Sequence, residues 1–240
     1  MEKINLFCLT FAGGNKYSYR FLSERAPSFL NIITLEYPGR GSRMKEKLIS
    51  DIDLLISDLY DQVKDSLGIG RYAFYGHSMG GLFAYLLTLK VLKANHKQPE
   101  HLFITGTTGP SAVSRLKNHR HLLGKKEFIN SVKELGGMPE EILDSEELLE
   151  YLEPILRNDF KTIETYEYEN NAPLNIPFTV ITGVGEEMET GDILLWQKES
   201  KLEVDFKQMP GRHFFILKQP DKLLNVIVKK LHHSKPDNHE

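Results

Sequence analysis

The chain has 240 residues, of which 40% are hydrophobic and 26% charged, and its formal net charge is −3; these values fit one globular domain and exclude a general electrostatic attraction to nucleic acid or to an anionic membrane. The single cysteine, Cys8, excludes an internal disulfide and lies in an apolar run, where a buried thiol is expected. No apolar run approaches the roughly 20 residues of a membrane span, and no targeting segment is expected, so we predict a cytoplasmic protein.

Short apolar stretches alternate with helical patterns along the first half of the chain, which is typical of parallel strands joined by helices. The predicted strands are 4–9, 32–37, 71–75 and 101–105, and the predicted helices are 17–26, 50–67 and 79–92. In the second of these helices, Ser50 or Asp51 is expected to be the N-cap, and Gly68 is expected to end it.

The pattern changes after Gly106. Residues 107–171 contain no convincing strand pattern, and helices are predicted at 127–135, 145–156 and 160–168. The alternation then resumes with strands 178–182 and 203–208 and helices 192–200 and 220–231, while residues 232–240 are expected to be a flexible tail. We therefore predict one α/β domain over residues 1–240, with a mostly parallel sheet, flanking helices and an inserted helical lid at 107–171.

The strongest motif is Gly76-His77-Ser78-Met79-Gly80, which matches G-x-S-x-G and lies between a predicted strand and a predicted helix. In this position a serine occupies a tight turn above the sheet, at the start of a helix, where free backbone N–H groups attract negative charge. The motif predicts an α/β-hydrolase with Ser78 as nucleophile; the alternative is a simple glycine-rich turn.

A serine hydroxyl needs a base, and in this architecture the chain order is Ser, then Asp or Glu, then His. His213 is the predicted base, because it follows the last predicted strand and precedes the final helix. No aspartate stands directly after the predicted strand 178–182, and Glu186 is predicted to be the acid. Glu187 and Asp192 remain alternatives, although Asp192 also suits the cap of the next helix.

Two backbone N–H groups are predicted to form the oxyanion hole. Met79 follows the nucleophile directly, and Ala12 lies in the small-residue segment after the first strand. An ordinary glycine turn explains that segment equally well.

Several segments together resemble the type II thioesterases, the editing enzymes of polyketide and nonribosomal peptide synthetases. They occur in family order and cover nearly the whole chain: Phe11-Ala12-Gly13-Gly14, Tyr37-Pro38-Gly39-Arg40-Gly41-Ser42-Arg43, Gly76-His77-Ser78-Met79-Gly80-Gly81, Leu135-Gly136-Gly137-Met138-Pro139, Asp159-Phe160 with Glu164-Thr165-Tyr166, and Pro210-Gly211-Arg212-His213-Phe214-Phe215. Two positions depart from the family pattern. Phe11 stands where a histidine is usual, and only glutamates occupy the stretch that normally supplies the aspartate.

The resemblance implies hydrolysis of acyl or aminoacyl thioesters held on the phosphopantetheine arm of acyl or peptidyl carrier proteins, through an acyl-enzyme on Ser78. It implies neither cofactor nor metal, and no nucleic-acid or membrane partner; the chain is expected to be a monomer. A basic cluster near the start of the lid is a weak candidate for carrier docking: Arg115, Lys117, Arg120, Lys125 and Lys126. The rival hypotheses are a general carboxylesterase or lipase-like hydrolase and a non-catalytic binding module on the same fold.

Overall fold

The computed structural model describes residues 2–117, 119–138 and 140–233, and their strands form one six-stranded parallel sheet. The strands are β1 (Ile4–Leu9), β2 (Leu30–Thr34), β3 (Arg71–His77), β4 (Leu102–Thr105), β5 (Phe178–Gly183) and β6 (Asp205–Met209). Their order is β2-β1-β3-β4-β5-β6. The strand that follows β1 in the chain, β2, lies on one side of β1 in the sheet, and the next one, β3, lies on the other side. The carboxyl ends of β1 and β3 therefore flank the crevice where open α/β sheets bind ligands.

The α-helices of the described residues are α1 (Arg20–Ser23), α2 (Ile52–Val63), α3 (Met79–Lys93), α4 (Lys125–Leu135), α5 (Glu140–Leu143), α6 (Glu146–Glu164), α7 (Thr190–Leu194), α8 (Phe215–Lys218) and α9 (Pro220–His233). Short 3₁₀ turns occur at Gly41–Arg43, Lys64–Ser66, Val113–Lys117, Arg120–Leu122 and Leu195–Glu199. Helices α4, α5 and α6 lie between β4 and β5, in the segment 107–171 that we call the helical insertion.

Side chains of the strands alternate between two apolar faces of the sheet. Phe7 and Leu9 of β1 pack with Phe74 in a cluster that includes α2 and α3, whereas Leu6 and Cys8 pack with α1 and α9 on the opposite face. Burial raises the pKa of the Cys8 thiol, which therefore stays protonated. Strands that are covered on both faces need apolar residues on both, and the predicted parallel sheet between helices is confirmed.

Three early elements are shorter or shifted relative to the prediction. Strand β2 spans Leu30–Thr34 instead of 32–37, because the chain then leaves the sheet and the Tyr37 hydroxyl donates to the carbonyl of Thr10 at 2.9 Å. Helix α1 has four residues instead of the ten predicted at 17–26. Helix α2 begins after Asp51, whose carboxylate caps the Leu54 N–H at 2.9 Å, and it ends before Gly68.

The two helices predicted at 145–156 and 160–168 are one continuous helix, α6. The polar residues between the two predicted helices are bonded to neighbouring elements: Arg157 donates to the carbonyls of His121 and Leu123 at 2.8 Å, and Asn158 donates to that of Ile49 at 2.9 Å. The exposed Pro154 also lies within the helix. Contacts with other parts of the protein thus stabilise the continuous helix α6, although its local helix propensity is low in this stretch.

The C-terminal elements also differ from the prediction at their ends. Helix α7 and the following 3₁₀ turn replace the helix predicted at 192–200, and β6 begins two residues later than expected. Helix α9 continues to His233, so the first two residues of the expected tail are helical, and residues 234–240 lie outside the described part of the chain. Within the described ranges, no helix combines the length and apolar character that crossing a bilayer requires.

His101 lies buried below the start of β4, and its ring stacks on that of Phe103 with centroids 4.2 Å apart. One ring nitrogen is hydrogen-bonded to the Thr179 hydroxyl at 2.8 Å. Burial lowers the pKa of His101 to about 3. His101 is therefore neutral in the folded protein and becomes protonated on unfolding below about pH 6.5.

We expect His101→Gln to reduce the acid sensitivity of folding. A histidine whose pKa is lowered by folding does not change the free energy of unfolding above its unfolded-state pKa of about 6.5. As the pH falls below that value, the free energy of unfolding decreases by about 1.4 kcal/mol per pH unit. Urea unfolding at pH 7.5 and 5.0 should show a loss about 2 kcal/mol smaller in the variant than in the unsubstituted protein. The exposed His119→Asn is the control; equal acid losses in His101→Gln and the unsubstituted protein would contradict this account.

Candidate active site

Ser78 lies at the sharp turn between β3 and α3. Strand β3 continues to His77, two residues beyond its predicted end, and α3 begins at Met79. Ser78 has φ 56° and ψ −117°, a conformation that residues with a side chain rarely adopt. Its N–H donates to the carbonyl of Thr105 at 2.8 Å, and its carbonyl accepts from the Gly81 N–H at 3.0 Å. The turn places a half-buried hydroxyl at the carboxyl edge of the sheet.

Close backbone contacts explain the two glycines of the motif. A Cβ at Gly76 would lie 1.9 Å from the carbonyl oxygen of Gly80, and a Cβ at Gly80 would lie 2.0 Å from that of Leu9. The neighbours are backbone atoms, which cannot rotate away as a side chain can. Any larger residue at either position would therefore push the strand and the helix apart.

His213 and Glu186 are hydrogen-bonded to each other. The Nδ1 atom of His213 lies 2.7 Å from Oε1 of Glu186, and the second carboxylate oxygen accepts from the Gly183 N–H at 2.5 Å. The Glu186 side chain is only 3% exposed. A carboxylate at Nδ1 favours the tautomer that carries its proton there, which leaves Nε2 free to accept a proton from a serine.

Backbone hydrogen bonds align the two loops that carry this pair. The Val184 N–H donates to the carbonyl of Met209, and the Gly185 N–H to that of Gly211, both at 2.9 Å. The pairing of β5 with β6 thus continues beyond the strand ends and brings a glutamate three residues after β5 to the loop before α8. The longer glutamate side chain bridges the distance from that position.

The two alternative acids lie elsewhere. The Glu187 side chain is 93% exposed, and its carboxylate lies 3.9 Å from the guanidinium of Arg212. Asp192 lies in the first turn of α7, where Glu189 occupies the capping position predicted for Asp192. Among the described residues, the carboxylate bonded to His213 is that of Glu186.

His77 lies beside His213, with ring centroids 4.9 Å apart. It is fully buried, and its Nδ1 lies 3.0 Å from the Thr105 hydroxyl. Burial, together with the neighbouring His213, lowers the pKa of His77 well below its ordinary value. A neutral ring here supports the His213 loop without placing a second positive charge next to it, a contact that the sequence did not reveal.

The predicted oxyanion donors flank the nucleophile. Met79 is the first residue of α3, so its N–H has no partner within the helix. Ala12 lines the same cavity as Ser78 and His213, and no hydrogen bond among the described residues uses its N–H. The segment 11–14, which we call the oxyanion loop, follows β1, and Ser78 follows the adjacent β3.

Phe11 belongs to this loop, at the position where the resemblance leads one to expect a histidine. Its ring packs edge-on against Phe214, with centroids 4.9 Å apart. It also contacts the rings of Tyr19 and His77 at 6.1 and 6.0 Å. Phe11 thus forms apolar wall next to the catalytic loops and contributes no polar group.

A largely apolar cavity of about 390 Å³ opens at Ser78 and His213. Residues of α4 and α6 form much of its wall, among them Val132, Leu152, Leu156 and Phe160. A second cavity of about 250 Å³ shares Ser78, His213 and Phe160 with the first, and more of its lining residues are polar or charged, such as Thr107, Arg115 and Glu164. Ser78 and His213 therefore line both an apolar cavity and one that offers several polar groups.

A buried ion pair that the sequence analysis did not predict lies behind the oxyanion loop. The Arg40 guanidinium donates to both carboxylate oxygens of Asp159, each at 2.6 Å. The only sequence signal for this pair was the presence of Arg40 and Asp159 in segments shared with the resembling family.

One member of the predicted basic docking cluster is bonded to the protein backbone instead of projecting outwards. Arg115 turns inward and donates to the carbonyls of Gly109 and Thr108 at 2.9 and 2.5 Å. Burial lowers its pKa to about 10. Lys117, Lys125 and Lys126 are exposed, and Lys125 forms an ion pair with Glu150 at 3.3 Å. Inclusion of Arg115 in a docking surface was therefore wrong. Within the described ranges, no group of three or more His, Cys, Asp or Glu side chains is arranged to hold a metal ion.

Known proteins resemble the chain over nearly its whole length. The family model of the thioesterase domain matches residues 4–231. Thioesterase PikA5 of Streptomyces venezuelae is 30% identical over 95% of this chain and 81% of its own length. ClbQ, from the colibactin NRPS/PKS pathway, superposes with a TM-score of 0.89 and 26% identity over 96% of this chain and 98% of its own. The type II thioesterase BorB, from the borrelidin biosynthetic cluster, gives 0.85 and 28% over 95% and 93%. These similarities confirm the predicted α/β-hydrolase fold class.

Proposed function

The chain belongs to the thioesterase domain family and is a thioester hydrolase of the serine type, and we propose that it is a cytoplasmic type II thioesterase that removes acyl or aminoacyl groups from carrier proteins of a polyketide or nonribosomal peptide pathway. One observation carries the proposal for the site. Ser78 and His213, with Glu186 bonded to His213, line an apolar cavity and an adjoining cavity that contains several polar side chains.

In the first half of the reaction, Oγ of Ser78 attacks the thioester carbonyl carbon while Nε2 of His213 takes the hydroxyl proton. The negative charge that develops on the carbonyl oxygen is stabilised by the N–H groups of Ala12 and Met79. The tetrahedral intermediate then breaks its C–S bond. The proton passes from His213 to the leaving sulfur, so a neutral thiol departs and the acyl group stays on Ser78.

In the second half, His213 takes a proton from water, which attacks the acyl-enzyme ester. The same two N–H groups stabilise the second tetrahedral intermediate. Collapse releases a carboxylic acid and returns the proton to Ser78. Glu186 accepts the hydrogen bond from Nδ1 and stabilises the positive charge that develops on His213 in both halves.

The two cavities suit the two parts of a carrier-bound thioester. An acyl chain buries apolar surface in the cavity beside α6, whereas the amide-containing pantetheine arm needs the polar partners of the second cavity. In this proposal the helical insertion serves as the lid, because α4 and α6 supply the apolar wall. The relatives from NRPS/PKS and borrelidin biosynthesis support a carrier-protein substrate.

A substrate panel tests the proposal. Acetyl, hexanoyl, octanoyl and aminoacyl groups on phosphopantetheinyl carrier proteins are compared with the same acyl groups as p-nitrophenyl esters. We expect kcat/KM for the best carrier thioester to exceed that for the matched ester by about tenfold or more, because binding of the carrier and the arm contributes to the transition state. A preference for the esters, with no turnover of any carrier thioester, would favour the general esterase.

We expect Leu152→Trp to shorten the acyl chains that the enzyme accepts. Leu156 touches the oxyanion loop at Gly13, and Leu152 lies one helical turn farther from it along the same cavity wall. A larger side chain there fills distal space, so kcat/KM for octanoyl thioester should fall about tenfold or more while acetyl turnover changes little. Steady-state kinetics on the acyl series measures this difference.

Leu148→Trp is the matched control for this substitution. Leu148 lies one further turn along α6 and is 42% exposed, outside the cavity wall. Its chain-length profile should equal that of the unsubstituted enzyme. An unchanged profile in Leu152→Trp, or a uniform loss for all chain lengths, would place the acyl chain elsewhere.

A further inference from the structure

Asp159 joins the acyl-binding helix to the oxyanion loop. It lies in α6 between the cavity residues Leu156 and Phe160, and its side chain is 1% exposed. One carboxylate oxygen accepts from the Gly13 N–H at 2.8 Å and from Arg40 at 2.6 Å, and the other accepts from Arg40 at 2.6 Å. The buried carboxylate therefore accepts three short hydrogen bonds, two of them from a guanidinium.

Gly13 is the residue directly after Ala12, the proposed oxyanion donor. It has φ +76°, and Leu156 lies so close that a Cβ on Gly13 would be 2.6 Å from its Cδ2. Leu156 and Asp159 are three positions apart in the sequence and so share one face of α6. This face contacts Gly13 through an apolar side chain and through a charged one, which together fix the peptide that follows Ala12.

Arg40 provides the charge that allows a carboxylate to be buried there. Its side chain is 4% exposed, and a second, longer hydrogen bond runs from its Nη1 to the carbonyl of Gly14 at 3.4 Å. The guanidinium also lies over the Tyr37 ring, 5.2 Å from the centroid. Arg40 thus holds Asp159 and the far end of the same loop at once.

We infer that Asp159 is a positioning residue: from the helix that lines the acyl cavity, it orients the oxyanion loop so that the Ala12 N–H points at the reacting carbonyl. The inference rests on the proposed serine mechanism. It assigns Arg40 as the partner that orients and neutralises this carboxylate. Because α6 carries both Asp159 and the cavity wall, a displacement of the helix away from the sheet would disassemble the oxyanion hole together with the acyl site.

The test separates transition-state from ground-state interactions in Asp159→Leu, which keeps the approximate shape of the side chain but removes both oxygens that accept from Gly13 and Arg40. A hexyl trifluoromethyl ketone adds to a catalytic serine and places a negative oxygen in the oxyanion hole, whereas a hexyl thioether only fills the acyl cavity. We expect kcat and affinity for the ketone to fall by the same factor, about 100-fold, as when an oxyanion donor is removed or displaced. KM and thioether affinity should stay within about twofold.

Leaving Arg40 without its partner endangers folding, because it creates an uncompensated buried charge. The paired variant Arg40→Met/Asp159→Leu replaces the buried ion pair by apolar side chains, removes the acceptor of the Gly13 N–H and keeps the test valid. We expect it to fold and to lose ketone affinity and kcat in equal proportion. Glu100→Gln is the matched control: the Arg71–Glu100 pair is also bidentate, at 2.7 Å, but lies at the opposite end of β3.

Two results would overturn the inference. One is a folded paired variant whose kcat and ketone affinity stay within twofold of the unsubstituted enzyme. The other is a parallel loss of thioether affinity, which would make Asp159 a general support of the cavity. Failure of the proposed function has a different signature: the unsubstituted enzyme would hydrolyse no carrier thioester, while ketone binding would still report on the oxyanion loop.

Discussion

Ser78→Ala is expected to lower kcat for the best thioester by about 100,000-fold, because it removes the group that forms the acyl-enzyme. Alanine keeps the Cβ of serine, so it fits the turn at φ 56° as the native residue does. The fold and the affinity for a thioether analogue should therefore be retained. The measurement is single-turnover hydrolysis, together with intact mass after treatment with a fluorophosphonate.

The mass measurement distinguishes nucleophilic catalysis from its rivals. The unsubstituted protein should gain one adduct and Ser78→Ala none. Ser57→Ala is the matched control, since Ser57 lies on α2, where its hydroxyl donates to the carbonyl of Asp53 at 2.7 Å and accepts from Lys90 at 3.2 Å. An unsubstituted protein that takes up no probe, or equal hydrolysis by Ser78→Ala, would support the non-catalytic binding module.

Glu186→Gln is expected to lower kcat by about 1,000- to 10,000-fold with a smaller change in KM. The glutamine amide can donate to Nδ1 of His213, which stabilises the tautomer with its proton on Nε2. That tautomer cannot accept the proton of Ser78. The amide oxygen can still accept from the Gly183 N–H, the second contact of this side chain, so the loop should stay in place. Steady-state kinetics and thermal unfolding check the two parts of this expectation.

Two neighbouring carboxylates provide controls for the acid. Glu187→Gln changes a side chain that is 93% exposed, and Asp192→Asn changes a residue in the first turn of α7. Both should keep kcat within about twofold, as expected of substitutions away from the reacting groups. A larger loss of kcat in either variant than in Glu186→Gln would identify that residue as the acid of the proposed triad. Glu186→Asp should fall between the extremes, because its carboxylate lies one methylene farther from His213.

The strands and the sharp turn at Ser78 could be predicted from the sequence because their determinants are local. The apolar run 4–9 and the motif around Ser78 each specify backbone geometry within a few residues. The prediction of Glu186 over Asp192 also rested on a local argument, the distance along the chain from the strand end. The structure joins Glu186 to His213 through the pairing of β5 with β6.

Helix α6 shows why other features could not be predicted in this way. Arg157, Asn158 and Asp159 form a polar run between the two predicted helices, and an isolated helix gains nothing from burying them. In the folded chain each one bonds to a different segment: the turn before α4, the loop before α2, and the Arg40–Gly13 region. Those partners are between 30 and 150 residues away in sequence, roughly, so periodicity carries no information about them.

By itself, the sequence determined the fold class and located the proposed nucleophile, the proposed base and the segments that surround them, since each depends on turn geometry and apolar periodicity encoded within a short stretch. Only the tertiary structure decided that Arg40 and Asp159 form a buried pair against the oxyanion loop, that Arg115 turns inward, and that His77 supports His213. The physical reason is that a buried charge or a neutral buried histidine is stabilised by distant partners, and their positions exist only once the sheet has brought its loops together.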